Sequence, residues 1–168
     1  MLVIVSATRV VIPCAAAAAL AIGGGVAASQ VKANSCDEAA SRGSLSTYLR
    51  AFNRGDLATL NQLFAPQSEF QWYAVAPPRG RVGLVAMDRA SLLSFFRARH
   101  RHLEVQKLVK FTFASTQTRP EGLVANFNGV IVRRARDLPV QRRGFKATIQ
   151  CDDGATQFIV VSIGTTVR

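Results

Sequence analysis

The sequence predicts an α+β fold in which three N-terminal helices pack on a strongly bent, mostly antiparallel sheet to make a cone. The segment from Tyr48 to Tyr73, YLRAFNRGDLATLNQLFAPQSEFQWY, reads as a helix, a Gly-Asp corner, a second amphipathic helix and an abrupt switch into an aromatic strand. One more helical stretch follows, and after it only strand-like runs. Helices first and consecutive strands after give segregated layers, not the alternation that builds a parallel sheet. A length of 168 residues suits one domain with a single core once a leader is removed.

Each element has its own signal. From Ser44 to Asn53, Leu45, Tyr48, Leu49 and Phe52 recur at helical spacing. Gly55 ends this helix where the backbone turns left-handed, and Asp56 caps the next. Leu57, Leu60, Leu63 and Phe64 form the second helix's apolar stripe, which Pro66 stops. Glu69 to Val75 alternates as a strand, with Phe70 and Trp72 on one face and Gln71 and Tyr73 on the other. Ala76 to Met87 carries two prolines and two glycines and reads as a loop. Asp88 caps a third helix that carries Leu92, Leu93, Phe95 and Phe96 as far as about His100. Four strand runs follow, Val105–Ser115, Leu123–Arg134, Gly144–Cys151 and Thr156–Thr165, separated by turn signals. The last contains FIVVSIG, apolar on both faces, so both faces need cover. Helices supply one cover. A second copy of the chain is the simplest other, which predicts a homodimer through the sheet.

The N-terminus reads as a leader. Arg9 is its only charge, Val10 to Ile22 is an apolar run, Gly23 to Gly25 breaks it, and Val26-Ala27-Ala28 offers small residues around a cut. Residues 1–28 are therefore expected to be a cleaved signal peptide, 29–43 a polar leading segment and 44–168 the folded domain. Pro13 and the alanines make a poor stable membrane anchor. The predicted location is secreted, periplasmic or cell-envelope. Cleavage removes Cys14 and leaves Cys36 and Cys151, which in an exported chain invite a disulfide.

The charge is strongly basic, 21 Lys and Arg against 10 Asp and Glu, which favours anionic partners. Arg133, Arg134, Arg136, Arg142 and Arg143 flank one hairpin, RRARDLPVQRR, and could form an anion patch or a solvated tip that discourages edge pairing. No aromatics are interleaved there as a base-stacking platform requires, so nucleic acid is not an expected partner. His100 and His102 lie two apart at a helix end and point away from each other, a poor metal pair. Neither a metal nor a cofactor is expected.

From Ser44 to the end, the chain resembles the nuclear transport factor 2-like superfamily, which includes SnoaL-like proteins and ketosteroid isomerases. The segment Tyr48 through Ala65, with the aromatic strand after it, carries the resemblance. It implies the cone fold but no single function, because the superfamily mixes enzymes with binding and assembly modules. The resemblance aligns Tyr48 with the isomerases' hydrogen-bond donor to the developing oxyanion. It places Trp72 where their Asp general base stands, and an indole cannot take a proton in that role. The expectation is therefore a non-catalytic binding module with a mostly apolar pocket for a small hydrophobic ligand. Tyr48, Phe52 and Trp72 would line it, and Asn126 and Asn128 would supply hydrogen bonds. The alternatives are an isomerase, dehydratase or cyclase using Tyr48 as donor, and a basic surface module for acidic envelope polymers.

Overall fold

A computed structural model of the chain describes residues 35–72, 83–152 and 155–166. The predicted leader, Tyr73 and residues 76–82 of the proline-rich loop lie outside the described residues. The elements run α1 (Glu38–Arg54), α2 (Leu57–Leu63), β1 (Phe64–Trp72), β2 (Gly83–Ala86), α3 (Arg89–Arg101), β3 (Val105–Arg119), β4 (Gly122–Ala135), β5 (Leu138–Asp152) and β6 (Ala155–Thr166). The six strands form one curled, unclosed sheet in the order β2-β1-β6-β5-β4-β3. Strand β1 runs parallel to β6, and every other neighbouring pair is antiparallel. The α+β class and the mostly antiparallel, bent sheet are as the residue pattern predicts.

The helices cover one face of the sheet, and between the two layers lies an aromatic core. Phe52, Phe64, Phe70, Phe96, Phe127 and Phe158 are all at or below 2 % exposure. Inward residues alternate along each strand, as a pleated sheet requires. Ala125, Phe127 and Ile131 face inward from β4, and Phe145, Ala147 and Ile149 from β5. Gly129 completes the β4 row: a Cβ there would stand 2.1 Å from the Lys110 carbonyl oxygen and 2.7 Å from the Phe145 ring, so only glycine fits.

Local differences from the sequence reading have physical causes. Helix α1 starts at Glu38, six residues before the expected Ser44, because Asp37 caps it. The Cys36–Cys151 disulfide pins the residue before that cap to β5, with a sequence separation of 115. In the chain-entropy model, closing so long a loop contributes about 4–5 kcal/mol. Phe64 opens β1 and does not extend the helical stripe. Pro66 sits inside that strand, where the β1–β6 pairing skips from Phe64 to Glu69, so its missing N–H costs no ladder bond. Part of the expected 76–87 loop is strand β2, whose residues pair with Phe70, Gln71 and Trp72. The final strand carries a bulge: Ile149 pairs with Phe158 and Thr148 with Val160, leaving Ile159 extra. Phe158, Val161 and Ile163 then face inward, and the apolar run does not reflect simple alternation.

The three helices among the described residues each start on an aspartate cap. Asp37, Asp56 and Asp88 accept hydrogen bonds from the backbone N–H groups of Ala40 (2.9 Å), Thr59 (3.0 Å) and Ser91 (2.8 Å). The Thr59 hydroxyl and then its N–H hold the Asp56 carboxyl below the ordinary aspartate value, the Ser91 N–H and then its hydroxyl do so at Asp88, and the Ala40 N–H leads the same effect at Asp37. A carboxyl with a depressed folded-state pKa adds stability above its unfolded value and loses it as pH falls through the folded one. Melting temperature should therefore fall as pH drops below 3.8. Asn caps nearly as well as Asp but does not titrate. The triple variant Asp37→Asn, Asp56→Asn, Asp88→Asn should keep the fold and show a flatter acid slope in thermal melts; an unchanged slope would refute this origin.

Candidate functional site

The inward face of α1 places Tyr48 and Phe52 at the centre of the cone, 4 % and 1 % exposed. The Tyr48 ring centroid lies 5.9–6.1 Å from those of Phe52, Phe64, Phe96 and Phe158, so aromatic faces and edges enclose it on several sides. Its hydroxyl donates to Gln106 Oε1 at 3.2 Å. The Gln106 amide in turn donates to Glu104 Oε1 at 3.2 Å. Burial first, and then the charge of Glu104, push the Tyr48 phenol well above its ordinary value. A phenol so held is a poor proton donor.

Glu104 is the hub of a buried ionic cluster. Its side chain is fully inaccessible, and it pairs with Arg133 Nε at 2.8 Å and with the Arg99 guanidinium. Burial pushes its carboxyl above the usual carboxylate range, and the Arg99 charge opposes that rise. Arg133 also donates to Gln141 Oε1 at 2.9 Å. Arg143 donates to the same oxygen (3.1 Å) and to the Gly164 carbonyl (2.9 Å). Asn53 joins α1 to the start of β3: its carboxamide accepts from Gln106 N (2.7 Å) and donates to Gln106 O (2.8 Å). That closes one outward amide pair on the edge strand.

This cluster gathers residues from the last turn of α3, the start of β3, the end of β4 and the start of β5. The core cavity is lined by Leu45, Tyr48, Ile131, Phe145, Phe158 and Ile163 among others, and has a volume of about 10 Å³. That is room for about one water molecule. Arg133 and Arg143 are the next inward residues after Ile131 and Phe145 on their strands, and both are buried. Ligand pockets are commonly about 300–1,000 Å³.

The structure does not bring the five expected pocket residues together. Asn126 and Asn128 face the opposite side of the sheet from Tyr48 and Phe52, because Phe127 between them takes the inward position. There Asn126 accepts from the Thr148 hydroxyl at 2.8 Å. With Gln71, Lys146 and Ser162 they line an open hollow of about 520 Å³. Trp72 pairs with Ile163 and Gly83 at the end of β1, and its side chain is not among those described. The five expected patch arginines also divide. Arg133 and Arg143 are 4 % and 6 % exposed and point into the cone, whereas Arg134, Arg136 and Arg142 are exposed. His100 packs its ring 4.9 Å from Phe52, and His102 lies 3.9 Å from Asp137 on the surface.

The residues that sequence reasoning missed are Arg99, Glu104, Gln106 and Gln141. Strand alternation held the clue for Arg133. Counting inward from Phe127 through Gly129 and Ile131 reaches it, and a buried arginine demands an acid. Replacing that acid tests the cluster. Glu104→Gln should lower unfolding free energy by about 3–5 kcal/mol in urea titrations, because it takes the charged partner from the buried Arg133 and the partly buried Arg99. Glu38→Gln, which breaks an exposed pair with Arg42, should cost no more than about 1 kcal/mol. Equal losses at the two sites would contradict the buried-hub reading.

No family model and no curated protein sequence matches the chain. Solved structures do. A protein of unknown function with a cystatin-like fold from Nostoc punctiforme superposes with a TM-score of 0.58 at 13 % identity, over 76 % of this chain and 90 % of that one. A nuclear transport factor 2-like protein of unknown function from Pseudomonas putida matches at TM-score 0.58 and 11 % identity, over 76 % and 84 % of the two chains. A ketosteroid isomerase-like protein from Erwinia carotovora atroseptica gives 0.50 at 12 % identity, over 76 % and 94 %. At these identities the likeness speaks for architecture alone: the chain has the nuclear transport factor 2-like cone fold.

Proposed function

We propose that this chain is an exported, non-catalytic binding module whose working surface is the outside of its sheet, not the interior of its cone. One observation carries the reading: the cavity that Tyr48 lines is about 10 Å³. That volume argues against the small hydrophobic ligand that the sequence suggested. Export is supported by the leader pattern and by the Cys36–Cys151 disulfide, a bond that persists in oxidising compartments.

The enzymatic alternative, an isomerase, dehydratase or cyclase with Tyr48 as donor, has one feature in its favour. A hydrogen-bonded line runs from Tyr48 through Gln106 to the Glu104 carboxylate. It is opposed by the raised phenol pKa and by the small volume, about 10 Å³, of the cavity that Tyr48 lines.

Fluorescence titration with a neutral apolar dye, N-phenyl-1-naphthylamine, separates these readings. The native protein should give no saturable signal, and Phe158→Ala, which empties volume beside Tyr48, should acquire one. Saturable binding of one dye per native chain would overturn the proposal.

A further inference from the structure

The outward face of the sheet has an unusual end. At the start of β3 and around the β4–β5 hairpin, apolar side chains stand in water: Leu138 is 43 %, Val140 62 % and Val105 43 % exposed. Beside them, Leu103 is 57 % exposed and holds a left-handed backbone at φ 49°. Basic residues are interleaved with this apolar set. Val105 pairs with Arg134, and Lys107 pairs with Val132, which pairs in turn with Arg142. Arg136 sits in the hairpin turn and is exposed. Strand spacing sets neighbouring positions about 4.8 Å apart across the sheet and about 6.8 Å along it. The cations therefore stand within roughly a Debye length (about 8 Å) of one another, and their fields reinforce.

Of the described acids, only Asp137 is exposed at this end. Asp37, Asp56 and Asp88 cap helices, Glu104 is buried, and Glu69 pairs with Val160 on the other half of the sheet. Asp152 lies at the far end of β5, and Glu121 in the turn beyond β3. Asp137, at the hairpin tip, faces His102. Exposed aliphatic side chains ringed by Arg and Lys fit a surface that is apolar beneath and anionic on top.

We propose that this hairpin end docks peripherally on an anionic phospholipid bilayer, with Leu138 and Val140 entering the interface and Arg134, Arg136, Arg142 and Lys107 meeting lipid phosphates. This deepens the outside-surface reading and rests on it. Two other occupants fit less well. A second copy would set the same cations face to face. A soluble polyanion would use the charges but leave the aliphatic side chains in water.

The test is co-sedimentation of the mature exported protein with phosphatidylcholine vesicles, with and without phosphatidylglycerol. Binding should require the anionic lipid and weaken in high salt. The pairs Leu138→Ser/Val140→Ser and Arg134→Ser/Arg142→Ser should each reduce partitioning by about tenfold. Arg50→Ser/Arg97→Ser, which removes the same charge from exposed helix positions, should change it by less than about twofold. A Val140→Trp variant should show a blue-shifted emission increment with anionic vesicles only. Equal loss in the control pair, or binding that ignores the Leu138/Val140 change and is matched by soluble polygalacturonate, would overturn the proposal. So would a stable dimer in sedimentation that fails to bind vesicles. The dye titration is independent of all these outcomes, so a failed membrane test leaves the closed cone standing, and a dye-binding native protein would fault the closed cone itself.

Discussion

The arrangement turns on one carboxylate. Glu104 is buried without access to water, and that is tolerable only because Arg99 and Arg133 come to it and Gln106 donates to it. Those partners come from different layers. Arg99 lies in the last turn of α3, Gln106 near the start of β3, and Arg133 near the end of β4. Through Gln106 the cluster reaches Tyr48 and Asn53 on α1, and through Gln141 it reaches Arg143 on β5. A buried ion pair adds little net stability over a well-packed apolar substitute, but a misplaced one is costly. Its effect here is to fix how the helices, edge strand and wide end of the sheet meet.

That constraint has a functional consequence. A cone of this fold can hold a ligand only if its interior is left empty and its end is left open. Here aromatic rings fill the interior, and the cavity that Tyr48 lines is about 10 Å³. The hydroxyl of Tyr48 is spent on Gln106. On the outside of the sheet, the β4–β5 hairpin end displays Arg134, Arg136, Arg142 and Lys107.

Much of the architecture was legible in the chain. Helical spacing in Leu45, Tyr48, Leu49 and Phe52, the Gly55-Asp56 corner and the Asp88 cap each rest on local chemistry, and local chemistry survives folding. Boundaries were less legible where tertiary contacts decide. The disulfide at Cys36 supports a helix start that polar composition concealed, and the β1–β6 register shift lets Pro66 sit within a strand. The site was harder still. Asn126 and Asn128 share a face, as alternation says, but which face depends on Phe127 winning the core. Arg133 and Arg143 read as members of a solvated cluster because sequence neighbours include the outward Arg134 and Arg142. Strand alternation turns Arg133 inward, and its partner there, Glu104, is distant in sequence.

Ultraviolet titration of the tyrosine phenol tests the sealed cone most directly. The chain has two tyrosines, so Tyr73→Phe leaves Tyr48 as the only reporter. If the Glu104 cluster closes the cone, Tyr48 should stay protonated until alkaline unfolding and ionise together with loss of the fold. Reversible ionisation near the ordinary phenol value of about 10, with the fold intact, would contradict the account.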